Sequence, residues 1–177
     1  MKILIFAAMA LGLATPALAE TYRIPATAGT NKAACPKAPV VATEPGSTIT
    51  GDDLPRTLSD YVTIDLKAGK VKVGNCSFRI SGFANATGSP FGATLVGDDN
   101  ANVLTGIAAD KGGASDGIRG NGGDDTISTK AATALVWGGA GRDRFAVPAD
   151  RKIKIGGKTY AQPVVQDLAA GETLTRR

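Results

Sequence analysis

The chain contains no histidine. That removes the Ser-His-Asp and Cys-His nucleophile systems and every zinc site built on imidazole. Aromatic residues make up 5% of the 177 positions, with a single tryptophan, so the chain lacks the stacking surface that single-stranded nucleic acid requires. No nucleic-acid partner is expected. The two cysteines, Cys35 and Cys76, have no CxxC spacing. The glycine-rich stretches lack the Gly-Lys-Ser/Thr ending of a phosphate-binding loop. Beyond residue 19 no apolar run is long enough to span a bilayer. The carboxylates Asp52, Asp53, Asp60 and Asp65 are near enough in sequence to form an acid pair of the glycosidase kind. They fall, however, among turn residues with no pocket-forming context, where solvated carboxylates are the simpler reading. No enzymatic activity is expected.

What is present begins with an export signal. Met1–Ala19 has a basic start at Lys2, an apolar stretch, and the small-residue ending Ala17-Leu18-Ala19. This predicts a secretory signal peptide over 1–19, cut before Glu20. Gly12 and Pro16 interrupt the stretch, which argues against a membrane anchor. The expected location is periplasmic or extracellular.

Glycine is abundant, at 23 residues, and it clusters with aspartate. Gly120–Ser128 reads GNGGDDTIS and Gly138–Ala146 reads GGAGRDRFA. Both follow the nine-residue pattern GGxGxDxUx, where U is a large apolar residue; Asn121 replaces the second glycine of the first stretch. Counting back from Phe145 in nines reaches Val136, Ile127 and Ile118, and Leu104 and Leu95 are again nine apart. A five-residue insertion, Gly106–Asp110, separates the two runs. Six units follow: Gly88–Val96, Gly97–Thr105, Lys111–Arg119, Gly120–Ser128, Thr129–Trp137 and Gly138–Ala146. The units are unequal: Lys111–Arg119 keeps Gly112, Asp116 and Ile118, Gly97–Thr105 has Asn102 in the aspartate place, Gly88–Val96 has Ala93 there, and Thr129–Trp137 keeps only Val136. Where the pattern is kept, the glycines allow a tight turn whose carbonyls converge, and the x-U-x that follows is a short strand with one inward side chain. A unit this short buries its apolar residue only by stacking on neighbours. The simpler alternative for any one stretch is a solvated turn or flexible linker.

The pattern resembles the haemolysin-type calcium-binding (RTX) nonapeptide repeats. The resemblance extends upstream, to Thr63–Gly69 (TIDLKAG) and to Ile80–Phe91 (ISGFANATGSPF), which are similar to segments that precede such repeats; Ala84 stands where that family has glutamate. It implies an all-β fold: a short parallel β-roll, or solenoid, in which turns eighteen residues apart stack on one edge and hold Ca2+ between them. Asp125 and Asp143 are eighteen apart. The implied ligand turns are Gly120, Gly122, Gly123 and Asp125 below and Gly138, Ala140, Gly141 and Asp143 above. Asp99 and Asn102, one coil earlier, imply a weaker second site. Asp116 lies on the opposite edge, against Gly88–Ala93 and Thr129–Ala134, which carry no acid; that edge is expected to be largely ion-free. Two features differ from the family. Its members usually lack an N-terminal signal, and their repeats are strongly acidic, whereas this chain has a formal net charge of +4.

The remaining segments frame the repeats. Residues 20–58 hold Pro25, Pro36, Pro39, Pro45 and Pro55 and predict an extended arm, with Val40-Val41 and Thr48-Ile49-Thr50 as short edge strands. In an exported chain Cys35 and Cys76 are expected to pair, tying this arm to the repeats; a metal or redox thiol pair is the alternative. Tyr61–Leu66, Lys70–Val73 and Cys76–Ile80 predict strands inside the roll, taken as 59–146 and clearest over 97–146. The last segment, 147–177, predicts a β cap, with a hairpin over Lys152–Tyr160 around Gly156-Gly157. The expected function is that of an exported calcium-binding module, binding or structural. The alternative is a calcium-independent solenoid that adheres to envelope or extracellular polymers.

Overall fold

The computed structural model describes residues 18–55, 57, 61–108, 115–155, 158–162 and 164–176. The expected signal peptide up to residue 17, Asp60, the end of the insertion with the start of the Lys111 unit, and the Gly156-Gly157 pair of the expected hairpin turn lie outside these residues. The fold is all-β, as expected, with one 3-10 turn at Lys32–Ala34 as the single helical piece among the described residues. No helix among them is long and apolar enough to cross a membrane.

Among the described residues sixteen strands form two seven-stranded sheets and a separate hairpin. The first sheet is parallel throughout. It runs β1 (Thr21–Arg23), β3 (Thr48–Thr50), β7 (Asn85–Thr87), β9 (Val103–Thr105), β11 (Thr126–Ser128), β13 (Arg144–Val147) and β16 (Thr173–Arg176). The second sheet begins with β12 (Leu135–Ala140), β10 (Ser115–Gly122), β8 (Gly92–Val96) and β4 (Val62–Asp65), all parallel. It continues through β5 (Lys70–Val73) and β6 (Cys76–Ser81) as an antiparallel meander, and ends on β2 (Val40–Val41) at its edge.

From β7 to β13 the chain alternates between the two sheets at each strand. The cause is visible in the inward positions. Ala86, Leu95 and Leu104, then Ile118, Ile127, Val136 and Phe145, are all buried at 0–2% exposure and each step within a run is nine residues. Each is aligned with its counterpart in the next coil: Ala86 with Leu104, Leu104 with Ile127, Ile127 with Phe145 on one sheet, and Leu95 with Ile118, Ile118 with Val136 on the other. A side chain that meets others only in the narrow space between two sheets can be buried only if every coil returns in phase. The frame also continues past the point where the glycine pattern stops. Val165 bridges Val136, and Leu174, nine residues later, is aligned with Phe145. Between Phe145 and Val165 the chain makes the excursion β14 (Arg151–Ile155) and β15 (Lys158–Gln162), an antiparallel hairpin forming its own sheet.

Two expectations are corrected. Pairing is not parallel across all of 59–146: β4, β5 and β6 are antiparallel. Their connections, Leu66–Gly69 and Gly74-Asn75, turn through Gly69 and Gly74 at φ of 60° and 49°. Such links are far too short for the crossover that a parallel pair needs. Thr48–Thr50 is not an edge strand; it lies between β1 and β7, and Ile49 is fully buried. Residues of the proline-rich segment thus enter the core, with Ile24, Ala28 and Leu54 also buried.

Cys35 and Cys76 form the expected disulfide, with Cα atoms 5.4 Å apart across a sequence separation of 41. Tyr22 packs edge-on against Phe78 and Phe83 at 6.4 Å in the same region. The bridge therefore fastens the N-terminal segment to β6, beside the two-residue pairing of β2 with that strand. On the chain-entropy account, closing a loop of this length contributes roughly 3–4 kcal/mol. Replacing both cysteines by serine is expected to lower unfolding free energy by an amount of that order, read as a lower denaturant midpoint with little change of slope.

Candidate metal centre

The turns that end the second-sheet strands stack on one edge of the molecule. Gly122 pairs with Ala140 and Asn121 with Gly139, so turn 138–143 lies directly over turn 120–125. Asn121 takes the place of a glycine and is the one non-glycine residue with positive φ among the described residues, at 77°; its counterpart Gly139 has φ 101°. Asparagine tolerates this conformation better than most residues. Its amide is also used: Nδ2 donates to the Gly97 carbonyl of the preceding coil at 2.8 Å. Above it, Arg142 N–H donates to Asp124 Oδ1 at 2.9 Å.

Below the turns lies a ladder of buried side chains. Asp125 and Asp143 are 0% and 1% exposed, and Asn102 is 2% exposed. Each carboxylate uses one oxygen to hold the coil beneath. Asp143 Oδ1 accepts the Asp125 amide at 2.9 Å, and Asp125 Oδ1 accepts the Asn102 amide at 2.8 Å. Backbone bonds run alongside, from Arg144 N–H to the Asp125 carbonyl and from Thr126 N–H to the Asn102 carbonyl. The second oxygens differ. Asp125 Oδ2 and Asp143 Oδ2 are fully buried and have no hydrogen-bond partner. They sit against the first glycine of their own turns: a methyl group at Gly120 would collide with Asp125 Oδ2 and the Gly138 carbonyl, and one at Gly138 with Asp143 Oδ2. Only glycine leaves room for the carboxylates. Gly123 and Gly141 are likewise packed backbone to backbone, since a side chain on Gly141 would meet the Gly123 carbonyl.

Burying a carboxylate without a counter-charge is costly. At Asp125 burial, followed by the like charges of Asp143, Asp98 and Asp124, pushes the carboxyl up to about 7 despite the Asn102 N–H.

The eight residues of the main expected site therefore lie together. The weaker positions do not join them as free donors. Asp99 is exposed and pairs with Lys67 Nζ at 2.8 Å. Asn102 is self-sufficient: its Oδ1 accepts Asp98 N–H at 2.8 Å, and its Nδ2 donates to the Ala84 carbonyl at 2.9 Å and to Asp98 Oδ1 at 3.1 Å. Asp116, on the other edge, is buried like Asp125, but both its oxygens are engaged. Oδ1 accepts Ala93 N–H, and Oδ2 accepts Ala108 N–H and the Thr129 hydroxyl at 2.7 Å. Burial raises its carboxyl as well.

Sequence reasoning did not single out Asp167 or Glu172. Asp167 receives Gly138 N–H at 2.9 Å and Gly139 N–H at 3.0 Å, closing the top turn. Glu172 stands two residues before Leu174, the position that Asp143 holds before Phe145, and its Oε1 is buried without a partner. The nine-residue step from Val165 to Leu174 is the signal that finds it.

No family model and no curated protein matches the chain. Among the described residues no three Asp, Glu, His or Cys side chains converge as a metal cage would require. Any ion on this edge would draw most of its oxygens from turn carbonyls, as calcium does in flexible sites.

The buried acids set a pH dependence. Asp125 and Asp116 hold their protons to higher pH folded than unfolded, where aspartate titrates near 4. Between about pH 4 and 7 the folded chain thus binds more protons, and stability falls as pH rises. In chelator, the denaturation midpoint is expected to rise as pH is lowered from 7 toward 4.5.

Proposed function

We propose that this is an exported calcium-binding β-roll whose ion lies between turns 120–125 and 138–143. The observation that carries the reading is the pair Asp125 Oδ2 and Asp143 Oδ2: two buried carboxylate oxygens in adjacent coils, each without a hydrogen-bond donor. A buried charged acceptor left unmade is unfavourable by a few kcal/mol, and an oxygen-seeking cation removes that penalty. Asp125 and Asp143 would contribute carboxylate oxygens; Gly120, Gly122, Gly123, Gly138, Ala140 and Gly141 would contribute turn carbonyls. Soft or imidazole-loving metals are disfavoured by a donor set of oxygens alone. Bound calcium supplies charge compensation and cross-links coils, so metal binding and folding are coupled.

The parallel strands β7, β9, β11 and β13, whose aligned positions are eighteen residues apart except across the insertion Gly106–Asp110, support the β-roll reading of this part of the chain. The N-terminal sequence supports export, and the Cys35–Cys76 bridge suits an oxidising compartment. There calcium is abundant, and a dissociation constant on the order of 0.1–1 mM fits a module of this kind. The second reading is a calcium-independent structural or adhesive protein that contacts envelope or extracellular polymers. It is favoured by the hydrogen bonds of the ladder itself, which join the coils without an ion.

A calcium titration starting in chelator separates the two. Trp137, stacked under the Arg119 guanidinium at 4.7 Å and one residue before Gly138, is the reporter. A saturable fluorescence change and a rise in thermal midpoint are expected, both lost in Asp125→Asn with Asp143→Asn. An unchanged, fully folded spectrum across the titration would leave the adhesive reading in its place.

A further inference from the structure

We propose that a further calcium site lies one step above, between turn 138–143 and the C-terminal turn 167–172, with Asp143 and Glu172 as its carboxylate donors. The proposal rests on the calcium reading of the Asp125–Asp143 step. It concerns a turn that carries no GGxGxD pattern, since Asp167, Leu168 and Ala170 stand where glycines would be.

Three observations carry it. The first is register. Arg144 is aligned with Thr173 and Phe145 with Leu174, and Thr173 N–H donates to the Asp143 carbonyl at 3.0 Å. Arg144 N–H makes the same bond to Asp125 and Thr126 N–H to Asn102. Glu172 thus continues the column Asn102, Asp125, Asp143. The second is the state of the carboxylates. Among the described residues the buried side-chain atoms with no hydrogen-bond partner are Asp125 Oδ2, Asp143 Oδ2 and Glu172 Oε1. Asp125, Asp143 and Glu172 stand at the same register position, two residues before Ile127, Phe145 and Leu174, in three consecutive coils. Asp143 is 1% exposed and its other oxygen is already committed to Asp125 N–H below. Glu172, one methylene longer than aspartate, turns its Oε2 back to Ala169 N–H of its own turn at 2.6 Å and leaves Oε1 bare. The third is that the turn is held in place from both ends, by Asp167 on the Gly138 and Gly139 amides and by β16 on β13.

Two carboxylates and the carbonyls of two stacked turns make a donor set of hard oxygens with adjustable geometry, which suits calcium over magnesium or zinc. The consequence is mechanical. β16 covers the edge of β13, and without it that edge would expose unpaired strand groups. Calcium at Glu172 would lock this closing strand onto the stack.

The test uses the whole purified protein, calcium chloride as the probe, and two readouts: ion count by calorimetry and hydrogen exchange over Thr173–Arg176. The wild type is expected to bind at least one ion more than Glu172→Gln, and calcium is expected to slow exchange in β16 at least about tenfold. Glu172→Gln keeps the shape and the Ala169 bond acceptor but loses the charge; its β16 protection should no longer respond to calcium, while the Trp137 signal still does. Glu172→Asp should restore the response. Asp125→Asn should retain calcium protection of β16. An equal ion count and equal protection in Glu172→Gln would overturn the proposal and leave the Asp125–Asp143 site standing. Loss of all binding in Asp125→Asn would also overturn it. Failure of the wild type to bind calcium would overturn both.

Discussion

A single kind of bond sets the shape of the turn edge: a backbone amide of one coil donating to the carboxylate of the next. Asp125 N–H to Asp143 Oδ1 and Asn102 N–H to Asp125 Oδ1 fix the rise from coil to coil on this edge. Everything nearby follows from placing a charged group there. The carboxylate must reach under its own turn, so Gly120 and Gly138 cannot carry a side chain. It must be buried, so its charge is destabilising, and its pKa rises at Asp125. It has two oxygens and the backbone supplies one donor, so one oxygen is left over. The repeat is consequently built with one buried carboxylate oxygen in each of these coils short of a donor.

The inward apolar residues complete the constraint from the other side. A coil that slipped by one residue would turn Ile118, Ile127, Val136 and Phe145 outward together. The nine-residue frame and the carboxylate ladder therefore enforce the same register independently, which explains how eroded units persist. Thr129–Trp137 keeps only its apolar residue, Val136, and still aligns with Ile118 and Val165. Hydrophobic phase sets this coil, and its Thr129 hydroxyl meets the buried Asp116 of the coil before it.

This also explains what the sequence makes legible. The glycine-aspartate turns and the strict frame over 118–145 announce themselves, because tight turns and period-nine burial each allow few residue types. The disulfide follows from there being two cysteines in a chain whose first residues read as an export signal. What escapes is everything whose partner is far away and whose spacing is irregular. Tyr22, Ile49 and Ala86 are aligned across the first sheet, yet their separations follow no constant step. The final coil is hidden by the β14–β15 excursion, which displaces Val165 and Leu174 from the running count, and by a glutamate in the place of aspartate. The antiparallel meander 62–81 is legible as three strands but not in its direction, which is decided by the length of two turns.

The clearest physical contrast lies within the protein, between Asp116 and Asp125. Both are buried aspartates two residues before an inward isoleucine, and both use Oδ1 to accept an amide of the preceding coil. They differ in what meets the second oxygen. At Asp116 the insertion brings Ala108 N–H, and the next coil brings the Thr129 hydroxyl. At Asp125 the corresponding place is bounded by Gly120 and the Gly138 carbonyl. A hydroxyl and an extra amide convert a repeat position that is short of positive charge into one that is internally satisfied. Thr129 stands thirteen residues after Asp116, where Gly138 stands after Asp125, and the two edges differ in whether the second carboxylate oxygen meets a donor.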